Sequence, residues 1–153
     1  WGQGSKSPKP LRGVKDRYCG ESPLARWTAH FPDSEVLAAF QRRIMTGGKL
    51  RSLRVGKRDG AGYARSFKAL IGGDTFTLPA EDLRKLLGAT ELRSVRISDI
   101  KVRKHSVEFF GSGSGHGVGL CQWGSRIQAE KGRRYEAIVQ FYFPGSVLSV
   151  VDE

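Results

Sequence analysis

The sequence has no run approaching the roughly 18 consecutive apolar residues of a membrane span, and its N-terminus carries no signal-peptide apolar region. The expectation is a soluble chain, with earlier removal of a targeting segment still compatible with it. Cysteine is scarce: Cys19 and Cys121 lie 102 positions apart, which suits neither a CxxC metal knuckle nor a dense disulfide scaffold. Paired, they would contribute about 4–5 kcal/mol by loop entropy, an upper figure that ignores native strain. Two free buried thiols are the alternative, and the pair alone does not set the compartment. Acidic residues are also short, 15 Asp+Glu against 26 Lys+Arg, and the formal charge of +11 should attract polyanions. Nucleic acid, anionic lipid and anionic wall polymers all qualify. No helix-turn-helix, zinc finger or aromatic RNA-binding motif accompanies the charge, so nucleic acid is not expected as a partner.

With 153 residues, 39% of them hydrophobic, the chain has enough material for one core and too little to argue for two. The first 17 residues hold Gly, Ser and Pro without an apolar period and read as an extended lead-in. Trp27 to Phe31 reads as a short strand. Ser34 is placed to cap a helix through about Thr46, with Val36, Leu37, Phe40 and Ile44 at helical spacing and Gly47-Gly48 as its stop. Period-two stretches on either side of Arg58-Asp59-Gly60-Ala61-Gly62 predict a hairpin between Lys49 and Gly72. A short strand is predicted over Thr75 to Leu78. Pro79 then opens a helix with Leu83, Leu86 and Leu87 that Gly88 ends. Strands are predicted at about Ser94–Ile97, Ile100–Arg103 and Ser106–Phe110, helices at Val118–Lys131 and Tyr135–Tyr142, and a last strand at Val147–Val151. The class is α+β, mixed hairpins and strands with about four helices, and no internal repeat is visible.

The segment with the most chemical content is Gly111-Ser112-Gly113-Ser114-Gly115-His116-Gly117-Val118-Gly119, with glycine at alternate positions and a histidine among them. Each ordered glycine costs about 0.5–1 kcal/mol of backbone entropy relative to Ala, so an ordered version needs left-handed turns or something approaching the backbone. Exposed amides ahead of the following helix would favour an anion or a carbonyl-rich sugar chain. A mobile linker shows the same spacing. A dinucleotide fingerprint is not supported, because the acidic residue about 20 positions on, Glu136, falls in a predicted helix rather than at a strand end, and no P-loop lysine is present.

The stretch Gly111 to Gly124, GSGSGHGVGLCQWG, resembles the GxGxGHGVGxxQWG signature of the stage II sporulation protein D (SpoIID)/amidase-enhancer family. The YYPG-like end of that family is matched by Gln140-Phe141-Tyr142-Phe143-Pro144-Gly145. Ser22-Pro23 with Trp27, the Arg58–Gly62 turn, Arg84 with Leu86-Leu87-Gly88, and Leu92-Arg93-Ser94 also resemble family features. The likeness extends from about Trp1 to Gly145 and identifies the chain as the C-terminal portion of such a domain.

What the resemblance implies is a peptidoglycan lytic transglycosylase, a lyase that cleaves between N-acetylmuramic acid and N-acetylglucosamine without water and leaves a 1,6-anhydro end. Other members are described as amidase enhancers, so a non-catalytic wall-binding module that recruits or stimulates an amidase is the alternative. The implied partners are peptidoglycan glycan strands, an amidase, or an upstream half of the same domain. The implied location is extracytoplasmic: periplasm, cell wall or forespore intermembrane space. The family's catalytic glutamate lies on a helix upstream of the element that Trp1-Gly2 resembles, so no catalytic residue is assigned in this chain and the chain alone is expected to be inactive. No cofactor is expected, since the zinc ligands of some members also lie upstream.

Glu21, Asp33, Asp59, Asp74 and Glu108 are the candidate substitute acids within the chain, and turn, cap or solvated roles are the default for each. The predicted substrate-binding residues are Ser112, Ser114, His116, Gln122 and Trp123. His116 either fixes the loop by a hydrogen bond or lines a glycan cleft. Gln122 either meets sugar hydroxyls and acetamides or caps nearby backbone. Trp123 either stacks on a sugar or joins a core stripe with Leu120 and Ile127. Cys121 is inert, linked to Cys19, or a zinc ligand alongside His116. The basic pairs Arg42-Arg43, Arg103-Lys104 and Arg133-Arg134 read as solvated faces, with an anion-binding rim as the alternative.

Overall fold

A computed structural model describes residues 8–11 and 13–149. They fall into two compact units, one formed by residues 26–116 and the other by the described residues before 26 and after 116. In the first unit strand alternation sets the layers. β1 (Trp27–Pro32) turns Trp27, Ala29 and Phe31 inward and Thr28, His30 and Pro32 outward. Helix α1 (Asp33–Gln41) follows directly, then β2 (Leu50–Val55), β3 (Ser66–Ile71), β4 (Asp74–Pro79), α2 (Ala80–Leu87), β5 (Ile97–Val102) and β6 (Ser106–Gly111). The strands form two three-stranded antiparallel sheets, ordered β1-β6-β5 and β2-β3-β4. Phe40, Phe67, Leu83, Leu92, Val36, Val107 and Phe109 are each fully buried in one continuous core, and the Phe109 ring meets the Phe31 and Phe67 rings edge-on at 5.7 and 6.2 Å.

The α+β class and the four helices match expectation, whereas several boundaries differ. Helix α1 begins at Asp33 with Pro32 in the capping position, so Ser34 lies within the first turn, and it ends at Gln41 rather than near Thr46. The strand runs into the helix without a loop, the Asp33 amide donating to His105 O at 3.2 Å, and the cap lies two residues earlier than expected. The two strands predicted over 94–103 are one, β5, with an irregularity between Ile97 and Asp99. Ser94 precedes it, buried, in an isolated parallel β-bridge with Gly115.

In the second unit the chain makes single 3-10 turns at Lys9–Leu11 and Cys19–Glu21, then α3 (Gln122–Glu130) and α4 (Tyr135–Tyr142). Helix α3 starts four residues later than predicted, because Gly117 and Gly119 take φ of +70° and +90° and cannot form its first turn. Helix α4 has the predicted bounds. Residues 147–149 are not a strand, and 150–151 of that prediction lie outside the described residues, as do 1–7 and 12 of the lead-in.

Candidate functional site

The glycine-rich segment leaves the end of β6, where Gly111 pairs with Trp27 of β1. A Cβ on Gly111 would fall inside the Trp27 indole ring, so only glycine lets the ring lie against this backbone. Trp27 Nε1 then donates to Gly113 O at 2.7 Å. On the other side Ser94, 1% exposed, donates through Oγ to Ser112 O at 2.9 Å and accepts from the Arg96 amide at 3.1 Å. The Ser112 amide donates to Arg96 O at 3.1 Å and the Gly115 amide to Arg93 O at 2.8 Å. Residues 111–115 are thus pinned from two directions, which sets the mobile-linker alternative aside. Gly113 and Gly115 take φ of +71° and +84°, a conformation that costs an L-residue about 1–2 kcal/mol. On this ordered backbone Ser112 is half-buried, and Ser114 and His116 are exposed.

The support for Ser94 reaches back to α2. The guanidinium of Arg84, whose side chain is 13% exposed, donates to Leu92 O at 2.9 Å, Ala89 O at 3.1 Å and Arg93 O at 3.2 Å, and pairs with Glu81 at 3.4 Å. One planar fork therefore shapes the whole 89–93 turn. Asp59 Oδ1 accepts from the Ala61 and Tyr63 amides, each at 2.9 Å, and Arg58 bridges Gly62 O and Ile97 O at 2.9 and 2.8 Å. Of the upstream features that resemblance singled out, the Arg58–Gly62 turn, Arg84 and Leu92-Arg93-Ser94 are braces of this unit.

Gln122 and Trp123 belong to the other unit, where they open α3. Cys121 is its N-cap, and its Sγ accepts from the Gly124 amide at 3.4 Å. Gln122 is exposed. Trp123 is half-buried with the Arg126 guanidinium 5.1 Å from its ring centre, and its Nε1 is buried with no hydrogen-bond partner among the described residues. Leu120 is 37% exposed while Ile127 is 8% exposed, so the Leu120, Trp123, Ile127 stripe is not a continuous core.

A polar network that the sequence did not reveal lies beside them. Tyr142 Oη donates to Asp16 Oδ2 at 2.7 Å, and a Cβ on Gly124 would overlap both groups. Burial, reinforced by the Asp16 carboxylate, pushes the Tyr142 hydroxyl well above the usual phenol range, so it stays a neutral donor. The fully buried Gln128 donates to Gly124 O at 3.3 Å and Tyr142 Oη at 3.4 Å, and its Oε1 accepts from Arg133. Arg133, expected on a solvated face, is therefore a structural donor. Cys19 and Cys121 are joined as a disulfide. Asp16 was hidden in the stretch read as an extended lead-in.

No family model matches the chain. Stage II sporulation protein D of Bacillus subtilis is 30% identical over 146 residues, covering 93% of this chain and 38% of that protein. The amidase enhancer of the same organism is 36% identical over 75 residues, covering 49% of this chain and 10% of that protein. The chain belongs to the stage II sporulation protein D/amidase-enhancer family. A third relative, stage II sporulation protein D of Bacillus amyloliquefaciens, is 31% identical over 86 residues, covering 55% of this chain and 23% of that protein. The chain spans well under two thirds of the length of each of these relatives.

For a member of this family the acidic residues within the chain are informative. Asp59 is committed to its turn and to Arg65 at 3.4 Å. Glu108 lies between His30 at 3.9 Å and Arg103 at 4.0 Å, Asp33 sits in the first turn of α1, and Glu21 and Asp74 are exposed. These carboxylates therefore occupy turn, helix-start, ion-pair or solvent-facing positions. Among the described residues no helix is long and apolar enough to cross a membrane.

Proposed function

We propose that the chain binds peptidoglycan glycan strands as the C-terminal portion of a SpoIID-like lytic transglycosylase acting outside the cytoplasmic membrane. The observation that carries this reading is the pinned glycine-rich segment. It is a rigid backbone bare of large side chains, with the exposed Ser114 and His116 among its glycines. Such a surface offers amides, carbonyls and short donors to sugar hydroxyls and acetamides without a mobile loop's ordering cost. Gln122 is exposed at the start of α3, where its amide suits sugar hydroxyls and acetamides. The charge of +11 suits strands stripped of stem peptides, whose muramyl lactyl carboxylates are free.

In the proposed reaction the general acid is a glutamate upstream of this chain, which protonates the glycosidic oxygen. The muramyl 6-hydroxyl attacks its own anomeric carbon, giving the 1,6-anhydro product, while Ser112, Ser114, His116, Gln122 and Trp123 bind and orient the glycan. The second reading, recruitment or stimulation of an amidase without cleavage, is favoured by the likeness to a protein named amidase enhancer.

The test is incubation of the chain with denuded glycan strands, with and without a separately expressed upstream segment, followed by mass spectrometry. Anhydro-muramyl ends only in the mixture are expected. Cleavage by the chain alone would overturn the placement of the acid, and binding without products in either tube would establish the second reading.

A further inference from the structure

The second unit holds a group of side chains that the glycan reading does not use. Asp16, Cys19 and Cys121 each bring one donor atom to within 4.8 Å of the other two, all half-buried. Asp16 Oδ2 lies 2.7 Å from Cys19 Sγ, and this same oxygen accepts the Tyr142 hydroxyl. The other carboxylate oxygen, Oδ1, accepts the Tyr18 amide at 2.8 Å. The carboxylate is therefore held in one orientation by two donors, as the outer partners of a metal ligand usually hold it. Cys121 sits at the N-cap of α3, and the Gly124 amide donates to its sulfur at 3.4 Å. Gly124 is what admits the Asp16 and Tyr142 oxygens to this helix face.

From these placements we infer that Asp16, Cys19 and Cys121 form a redox-gated site for a soft divalent cation of the zinc class. It is closed while the cysteines are paired and opened when a thiol reductant cleaves the disulfide. Two reductant thiols form one new disulfide and deliver two electrons and two protons, leaving Cys19 and Cys121 as thiols. Zinc then displaces those two protons to form two metal–sulfur bonds, Asp16 supplies an oxygen ligand, and water fills the fourth position of a tetrahedron. A tetrahedral site with metal–ligand lengths of about 2.0–2.3 Å sets its donors roughly 3.3–3.8 Å apart, so the two sulfurs, bonded to each other in the disulfide, and Asp16 Oδ2, 2.7 Å from Cys19 Sγ, separate when the bond is cleaved and the metal enters. Two thiolates and one carboxylate favour zinc over calcium or magnesium, which prefer all-oxygen shells. The site is independent of the glycan reading and separate from the ligands that family resemblance places upstream.

The experiment uses the full chain, either oxidised or reduced with dithiothreitol and desalted without oxygen, then titrated with Zn²⁺ and Co²⁺. One Zn²⁺ per reduced chain by native mass spectrometry, none per oxidised chain, and thiolate-to-cobalt charge-transfer absorption are expected. Asp16→Asn should keep the absorption and weaken zinc binding at least 10-fold, in the range seen for loss of ligand support. Zinc should also raise the melting temperature of the reduced chain, because binding to the folded form stabilises it whereas capture by unfolded cysteines does not. A reduced chain that binds no metal, binding that lowers the melting temperature, or an Asp16→Asn chain that binds zinc as tightly as the parent would overturn the inference.

Discussion

The close approach of Gly111 to Trp27 can be tested by adding a single methyl group. Gly111→Ala places a Cβ where the indole ring now lies, with Trp27 only 9% exposed in the β1–β6 layer. If the ring keeps its place the backbone must shift, and overpacking of this kind costs about 1–3 kcal/mol. If the ring moves instead, the Trp27 Nε1 to Gly113 O bond at 2.7 Å is lost as well, a further ~0.5–1.5 kcal/mol. The combined cost is about 2–4 kcal/mol. In a unit of roughly 90 residues each kcal/mol moves the melting temperature by about 4–8 °C, so a fall of roughly 10–30 °C is expected. Gly113→Ala is the internal comparison: a Cβ there meets nothing within 4 Å, and the penalty comes from a φ of +71°, about 1–2 kcal/mol. Thermal unfolding followed by circular dichroism, with near-ultraviolet bands reporting the indole, measures both. A Gly111→Ala chain melting within a degree or two of the parent, or less destabilised than Gly113→Ala, would refute the close-approach argument.

Four further outcomes follow from other parts of the molecule. Trp123→Phe removes a buried donor without a partner, so urea unfolding should show stability equal to or above the parent's, while affinity for denuded glycan falls about 10-fold; unchanged affinity would remove Trp123 from the glycan surface. Arg84→Lys cannot reproduce three carbonyl contacts from one fork and should cost about 1.5–3 kcal/mol in the same assay, a loss of less than 0.5 kcal/mol contradicting the brace. Reduction of Cys19–Cys121 in metal-free buffer should lower stability by up to about 4–5 kcal/mol, read from the shift in urea midpoint. Tyr142 has a raised folded-state pKa, so its contribution is fully present below the ordinary phenol range and is lost as pH rises above about 10. The unfolded chain then holds fewer protons than the folded one, and Tyr142→Phe should flatten that alkaline limb of the stability–pH curve.

Elements that local periodicity controls were legible in the sequence. The alternation of Trp27, Ala29 and Phe31, the hairpin on either side of Arg58–Gly62, and helix α4 all appear where the pattern put them. What long-range contacts decide was not. Helix α3 starts late because successive glycines before it are left-handed, and Ser94 reads as a strand residue until its burial under Ser112 is seen. In the candidate site, the glycine-rich segment stood out by composition, but its order depends on Trp27 and Ser94, which lie far away in the chain. Asp16 and Gln128 gave no local signal at all, because their meaning comes from Tyr142 and Arg133.

The central claim is that the pinned glycine-rich segment, with Ser112, Ser114 and His116, binds glycan, and titration of the labelled chain with denuded glycan strands, observed by amide chemical shifts, tests it most directly. The account predicts dose-dependent shifts at Ser112, Ser114 and His116, with little change at β2–β4. No shift at saturating glycan, or shifts confined to the strands remote from the glycine-rich segment, would contradict it.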